Sequence, residues 1–422
     1  MRIVLVMLAL WAKGAYAVDE PRALQPDGAT ERIHACALAW MDQYLASDDL
    51  AGLGPIAEGI AKRLVAGGTL YVGGDPSFSD EFDGRAGGFA GTKPLIIGKA
   101  LGAQDALIIG LLNQNDKGSH FLRPGNLGEN NNTLTKALTV HVGSHRWPQV
   151  ARLAEAVDPA RWPAGFHMLD TRVPEGAGWE NVSLSQMASV VIGHALEAEI
   201  IAALSRQGKT PAIFASCLAP GGNEYNDSIM NRFVIPGPPV EAIPAGALSR
   251  AYVTTCRRQI AAFVTSGQAR PLRQAARRLA DCQRRAGVIW TIFVGHVHMR
   301  GAIIPDELSR LFIYGREWQW SPRGIHPEDT LLYVGYLDYP KAAVEGSLKI
   351  CTDAAVLVVG DCPLDERVTT IRSCWERWDS AVTVPGYPYQ AVASSGVVQT
   401  PQWYSLMAEA QALLKDVAKP AP

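Results

Sequence analysis

Residues 73 to 88 read GGDPSFSDEFDGRAGG and follow the apolar run Thr69-Leu70-Tyr71-Val72. A strand that ends in paired glycines and then turns polar and acidic can cradle a phosphate, hold a metal, carry a catalytic carboxylate or turn a corner. Glu81 has the widest chemistry open to it. On a dry, shaped loop a carboxylate with a raised pKa can take a proton from carbon alpha to a carbonyl. With Asp80 it can equally favour a helix start. Arg85 can meet a phosphate or carboxylate bidentately, or pair with Glu81 or Asp83. Gly73, Gly74 and Ser77 are cradle positions, because glycine lets backbone N–H groups approach a ligand and a helix start attracts anions. Pro76 removes one of those donors.

Chemistry-bearing residues recur elsewhere. His194 sits in a long apolar helical stretch from Gln186 to Ser205, either as a functional group or as a core histidine. Glu224 lies in PGGNEYNDS, a polar segment just after an expected strand end, where open parallel sheets bind ligands and where plain connecting loops also occur. His296 and His298 form an HxH pair on an extended segment, with no acidic third ligand at a recognised spacing. The seven cysteines show no CxxC or zinc-finger spacing, so the sequence predicts no structural zinc site.

Positioning these groups requires elements, and the hydrophobic pattern supplies them twice. Ile56, Ile60 and Leu64 recur at helical spacing before Gly67-Gly68 and the strand TLYV. Further strands are expected at 105–112, 137–143, 166–169 and 211–216, the last after the helix of 186–205. Residues 217–248, rich in Gly, Pro and Asn, read as a linker or a long loop. The second half predicts helices over 248–264 and 271–287 and strands at 288–295, 310–315, 330–336 and 354–360. Helices are expected from 341, over 364–378 and near 401–417. Apolar strands alternating with helices predict parallel sheets covered on both faces. TLYVGG and TIFVGH occupy matching places, as do Gln186 and Gln399, which points to an internal duplication. The expected organisation is a leader at 1–17, a domain at 30–218, a linker at 219–248 and a second domain at 249–420.

The 422-residue chain is 48% hydrophobic and 19% charged with a formal net charge of -2, which gives an ample core and no basic run to suit a nucleic-acid partner. Arg2, the apolar run Ile3 to Ala12 and Ala15-Tyr16-Ala17 have the form of a cleaved secretory signal, predicting export. That run is too short for a bilayer span, and no other segment reads as one.

The layout and motifs together resemble the sugar isomerase (SIS) family, the first half being most similar to phosphoheptose isomerase. In that family a GG, a strand and a Gly-rich loop precede a helix carrying H-x-x-x-E-L-x-G-R. Here Ser77-Phe78-Ser79-Asp80-Glu81-Phe82-Asp83-Gly84-Arg85 keeps E-x-x-G-R and places Ser77 where the histidine stands. The family's Gln and His eight residues apart match Gln186 and His194. The resemblance implies two doubly wound α/β domains of SIS type, the second degenerate with Met407 in the place of His194, paired as an internal pseudo-dimer or further as a homo-oligomer.

The same resemblance implies a bound sugar phosphate or related sugar, with Glu81 as base and His194 as acid of an aldose–ketose isomerisation. Asn113 and Asn115 then fall on the substrate side after the strand at 105–112, where the family has a Ser/Thr-rich phosphate loop. Zinc is implied through Glu81, Gln186 and His194. A straight helix separates the last two by about 12 Å, so a shared ion requires Gln186 on the turn before the helix, or a neighbouring subunit. The alternative is a non-catalytic module that binds or senses a sugar derivative in the cell envelope.

Overall fold

The structure is a computed structural model. It describes residues 28–96, 101–110, 136–144, 165–174, 178–179, 182–293, 306–308, 311–314, 325–336, 344–346, 348–350, 353–359, 366–375 and 378–417. The expected leader, Asn113, Asn115, His296 and His298 lie outside the described residues.

The first half opens with α1 (Ala29–Ala46) and α2 (Asp49–Val65). In α2 the buried stripe Leu53, Ala57, Ile60, Ala61 and Leu64 follows the helical period, and the chain leaves through Gly67 at φ 89°. Five parallel strands follow: β1 (Leu70–Gly74), β2 (Lys93–Pro94), β3 (Ala106–Gly110), β4 (Leu138–Gly143) and β5 (Phe166–Asp170), in the order β2-β1-β3-β4-β5. A one-turn helix, α3 (Pro76–Ser79), lies between β1 and β2. The half closes with α4 (Ser185–Arg206), buried at every position from Ser185 to Ser205. Contrary to the sequence expectation, α4 is long and apolar enough to cross a membrane; its complete burial makes it the central core helix.

Two segments depart from the expected elements here. Of the strand read at 211–216 only Pro211 lies in a ladder, Thr210–Pro211, which runs antiparallel to Val234–Ile235 and outside the main sheet. The segment read as a linker contains the helix α5 (Gly222–Ile229), started by Gly221 at φ 72°. Its Ile229 packs with Ala90 and Ala212.

The second half repeats the plan. Helices α6 (Ala247–Thr265) and α7 (Ala269–Arg284) precede β6 (Ile289–Phe293), β7 (Leu311–Tyr314), β8 (Thr330–Tyr336), β9 (Asp353–Val359) and β10 (Val368–Arg372). The order is β7-β6-β8-β9-β10, again all parallel and again the order of the first sheet. β10 replaces part of the helix expected over 364–378. Val368, Thr369, Thr370 and Ile371 are four consecutive β-branched residues, which favour a strand over a helix. The chain ends in α8 (Ser395–Val417), which starts earlier than expected and carries Pro401 within it.

The sheets position their helices in a reciprocal way. α4 packs on α2 of its own half and on α6, the first helix of the other half; α8 packs on α7 of its own half and on α1. One core therefore runs from Ile33 and Met41 through α4 to Trp403 and Met407. A second cluster, with Trp290, Leu331, Tyr333 and Leu348, covers the opposite face of the second sheet, while Ile289, Leu332 and Val334 face the main core. The doubly wound α/β arrangement read from the sequence is what the strand alternation builds.

Candidate functional site

The turn after β1 is built by close packing rather than by an open cradle. Gly74 has φ 102°, a left-handed conformation suited to glycine, and a side chain there would strike the Gly110 carbonyl of β3. A Cβ on Gly73 would lie 3.0 Å from Leu95. Asp75 N donates to Gly110 O at 2.9 Å, which ties the turn to the neighbouring strand. Phe78, fully buried, lies over the Gly110 backbone, and Phe82 stacks beside it with ring centroids 4.8 Å apart. A neighbouring strand and apolar side chains thus fill the space that a side chain at Gly73 or Gly74 would take. Ser77 is within α3.

Beyond this turn the chain delivers Glu81 and Arg85 into the interior. Both are sealed, at 1% and 0% exposure. Arg85 Nη1 donates to Glu81 Oε2, while Nη2 donates to Asp379 Oδ2 at 2.8 Å and to Ser395 Oγ at 2.5 Å. Asp379 belongs to the second half, 294 positions away. Its Oδ1 accepts from the backbone N–H groups of Ser394 and Ser395 at 3.1 and 2.6 Å, and its Oδ2 also accepts from Ser395 Oγ at 2.7 Å. The carboxylate thus sits at the N-terminus of α8, where the helix dipole favours negative charge. Asp379 itself adopts φ 56°. A side chain on Gly396 would overlap the Glu81 carboxylate, so α8 approaches Glu81 as closely as backbone permits.

His194 arrives from the middle of α4. Its Nε2 lies 3.7 Å from Glu81 Oε2, and its Nδ1 lies 3.0 Å from Glu197 Oε2. Glu197 also accepts from Phe89 N at 3.3 Å. The imidazole packs between Phe82, at 4.5 Å between centroids, and Tyr252 of α6, at 5.8 Å. Burial disfavours the charged imidazolium, but the hydrogen bonds and charges of Glu197 and Glu81 outweigh it, and the pKa is raised above its ordinary value. Both ring nitrogens therefore face carboxylates. The Tyr252 hydroxyl, its pKa pushed well up by burial, donates to Ala393 O at 2.9 Å.

The sequence thus brings Glu81, Arg85 and His194 together, and the structure adds Glu197, Tyr252, Asp379 and Ser395, none of which the sequence singled out. Gln186 does not join them. It is the second residue of α4, and its side-chain oxygen accepts a hydrogen bond from Tyr404 of α8. Eight helical residues separate it from His194 by about 12 Å. Gln186 is inside the helix rather than on a turn before it, so within one chain Gln186 and His194 do not meet at one ion, which leaves only the neighbouring-subunit route to the expected zinc site. No group of three or more His, Cys, Asp or Glu suited to a metal occurs among the described residues. Glu224 is exposed on α5, apart from this cluster. Gln399, which the sequence expectation matched to Gln186, is buried in α8, as is Met407, expected in the place of His194.

What the arrangement does chemically is hold charge. Three carboxylates face Arg85 and His194 away from water, drawn from both halves, as buried charge requires, with His194 Nε2 held beyond hydrogen-bond distance of Glu81.

No protein-family model and no curated protein matches the sequence. Solved structures do match, over nearly the whole chain. The C-terminal domain of glucosamine-fructose-6-phosphate aminotransferase from Francisella tularensis aligns with a TM-score of 0.52 at 9% identity, over 93% of this chain and 97% of that one. A candidate phosphosugar isomerase from Clostridium difficile 630 aligns at 0.50 and 9% identity, over 93% and 95%. A candidate sugar binding protein from Salmonella typhimurium LT2 aligns at 0.50 and 10%, over 91% and 99%. The coverage takes in both sheets at once, and the fold is the SIS fold.

Proposed function

We propose that this SIS-fold chain is a binding protein for a phosphosugar or a related sugar derivative, and that its Glu81–Arg85 cluster fastens the two halves together. The observation that carries this reading is the sealing of Glu81. A general base must touch the proton it removes, and Glu81, at 1% exposure, instead touches Arg85, His194 and the backbone at Gly396. The ligand class is supported by the descriptions of the fold neighbours, which name a hexose phosphate aminotransferase, a phosphosugar isomerase and a sugar binding protein. The ligand face we assign is the C-terminal edge of the first sheet, where open parallel sheets bind ligands. Asn113 and Asn115 come shortly after β3 in the sequence, outside the described residues. The N-terminal signal pattern supports export, and with it an unphosphorylated sugar or a wall fragment as ligand.

A second reading, an aldose–ketose isomerase, is favoured by one distance: the 3.7 Å between Glu81 Oε2 and His194 Nε2 pairs an expected base with an expected acid. The two readings separate without any substitution. The chain from residue 18 onward is titrated with a panel of sugars and sugar phosphates, and each is followed by proton NMR in deuterated water. Saturable binding with the alpha proton retained is the expected result. Exchange of that proton by the unaltered protein establishes the isomerase instead, and failure to bind any member of the panel removes the sugar reading.

A further inference from the structure

A concavity of about 340 Å³ lies at the opposite, N-terminal end of the first sheet from that ligand face. It is enclosed by the exit of α2 around Gly67 and Gly68, by β2, by the turn after α4 and by the chain running into Val234. Three cationic side chains line it: Lys93 from β2, Lys209 from the turn after α4, and Arg232. No Asp or Glu lines it. Among the described residues none of the three cations has an ion-pair or side-chain hydrogen-bond partner, whereas Arg63, Arg85, Arg206 and Arg257 do. In a chain whose formal net charge is -2, three uncompensated cations on one small concave wall are a local excess.

The remaining wall is suited to the same ligand. Asn231, exposed and held at φ 62°, and Thr69 add polar side chains, and Phe233 and Val65 supply apolar surface. The C-terminal turn of α2 also borders the space, and unsatisfied helix carbonyls there would repel an anion. Three of the last four are already occupied: Ala66 N, Gly68 N and Gly67 N donate to the carbonyls of Lys62, Arg63 and Leu64 at 3.1, 2.9 and 3.1 Å. The volume falls within the usual range for small-molecule sites.

We infer that this concavity is an anion site, distinct from the C-terminal edge of the sheet, that takes the phosphate groups of a small phosphorylated molecule on Lys93, Lys209 and Arg232. Inorganic pyrophosphate is the probe, titrated into the full-length protein by calorimetry at low and physiological salt. The expected result is saturable binding that weakens as salt rises. Substituting Lys93→Gln, Lys209→Gln or Arg232→Gln should weaken it roughly tenfold each, and the triple variant should abolish it. These side chains lie at the surface, and thermal melting of each variant confirms that it is folded. Absence of pyrophosphate binding in the unaltered protein overturns the proposal. So does binding that persists undiminished in the folded triple variant, since the anion then sits elsewhere.

Discussion

Arg85 and His194 show how two buried basic groups are held among carboxylates in different ways. Arg85 has carboxylates from both halves on its guanidinium, and His194 has one carboxylate at each ring nitrogen. His34 is the contrast. It stacks on Phe263 with centroids 4.8 Å apart, and its Nδ1 donates to Thr30 O at 2.8 Å. Burial drives its pKa down to about 4 against the smaller opposing effects of that hydrogen bond and of Glu31. The two histidines link stability to pH with opposite signs. His194 binds its proton more tightly folded than unfolded, so its contribution is full below the ordinary value of 6.5 and is lost as pH rises through the raised value. His34 binds its proton less tightly folded, so its contribution is full above 6.5 and is lost as pH falls from there to about 4. Stability should therefore peak near pH 6.5 and decline on both sides. Urea melts at pH 4.5, 6.5 and 8.5 measure it, and His34→Gln should reduce the acid-side loss by up to on the order of 3 kcal/mol. An acid limb unchanged in that variant assigns the loss to carboxylates alone.

At the scale of elements, α4 sets propensity against packing. Gly193 in the middle of this helix should cost about 1 kcal/mol relative to alanine. A Cβ there, however, would lie 2.6 Å from Phe82 Cζ and 2.9 Å from Phe78 Cζ. Overpacking of that kind typically costs about 1–3 kcal/mol. Gly193→Ala is expected to destabilise the protein in chemical denaturation despite the better helix former, and Phe82→Leu in the same background should recover part of the loss. A gain in stability from Gly193→Ala alone would mean that the rings move aside freely. The same contest explains what the sequence revealed. Elements with unbroken periodicity, such as α6, β4 and β8, were legible to within a residue or two. β10 was not, because the helix reading of 364–378 ignored the β-branched run Val368 to Ile371. Pro211 to Ser216 looked like a sheet strand because it is apolar, but its burial comes from α5 and Tyr387, whose hydroxyl accepts from Ile213 N at 3.1 Å. Glu81, Arg85 and His194 could be found from local motif spacing. Asp379 and Ser395 could not: they lie about three hundred positions from Arg85, and only the fold makes them neighbours.

Across the whole molecule, the halves exchange their first helices: α1 rests on α8 and α6 on α4. The exchange is held by charge as well as by apolar contact. Asp379 grips Arg85 at the start of α8, and Glu199 of α4 reaches the start of α6, accepting from Gly246 N at 2.9 Å and from Ser249 Oγ at 3.3 Å. Each half's closing helix therefore takes part in capping or contacting the other half, and neither half owns all of its core. Two independent domains would melt separately, and a substitution in one would leave the other's transition in place. Here a single transition is expected, at the same urea concentration whether followed by far-UV circular dichroism or by tryptophan fluorescence, which samples Trp40 in the first half and Trp290 and Trp403 in the second. Asp379→Ala leaves Arg85 buried with part of its charge uncompensated, a loss of about 3–5 kcal/mol. That loss should move the whole transition rather than split it, because the side chain removed belongs to the second half and the cation it leaves belongs to the first. A variant in which the first half keeps its midpoint while the second melts early would show that the halves fold as separate units and that the Arg85–Asp379 pair only joins them.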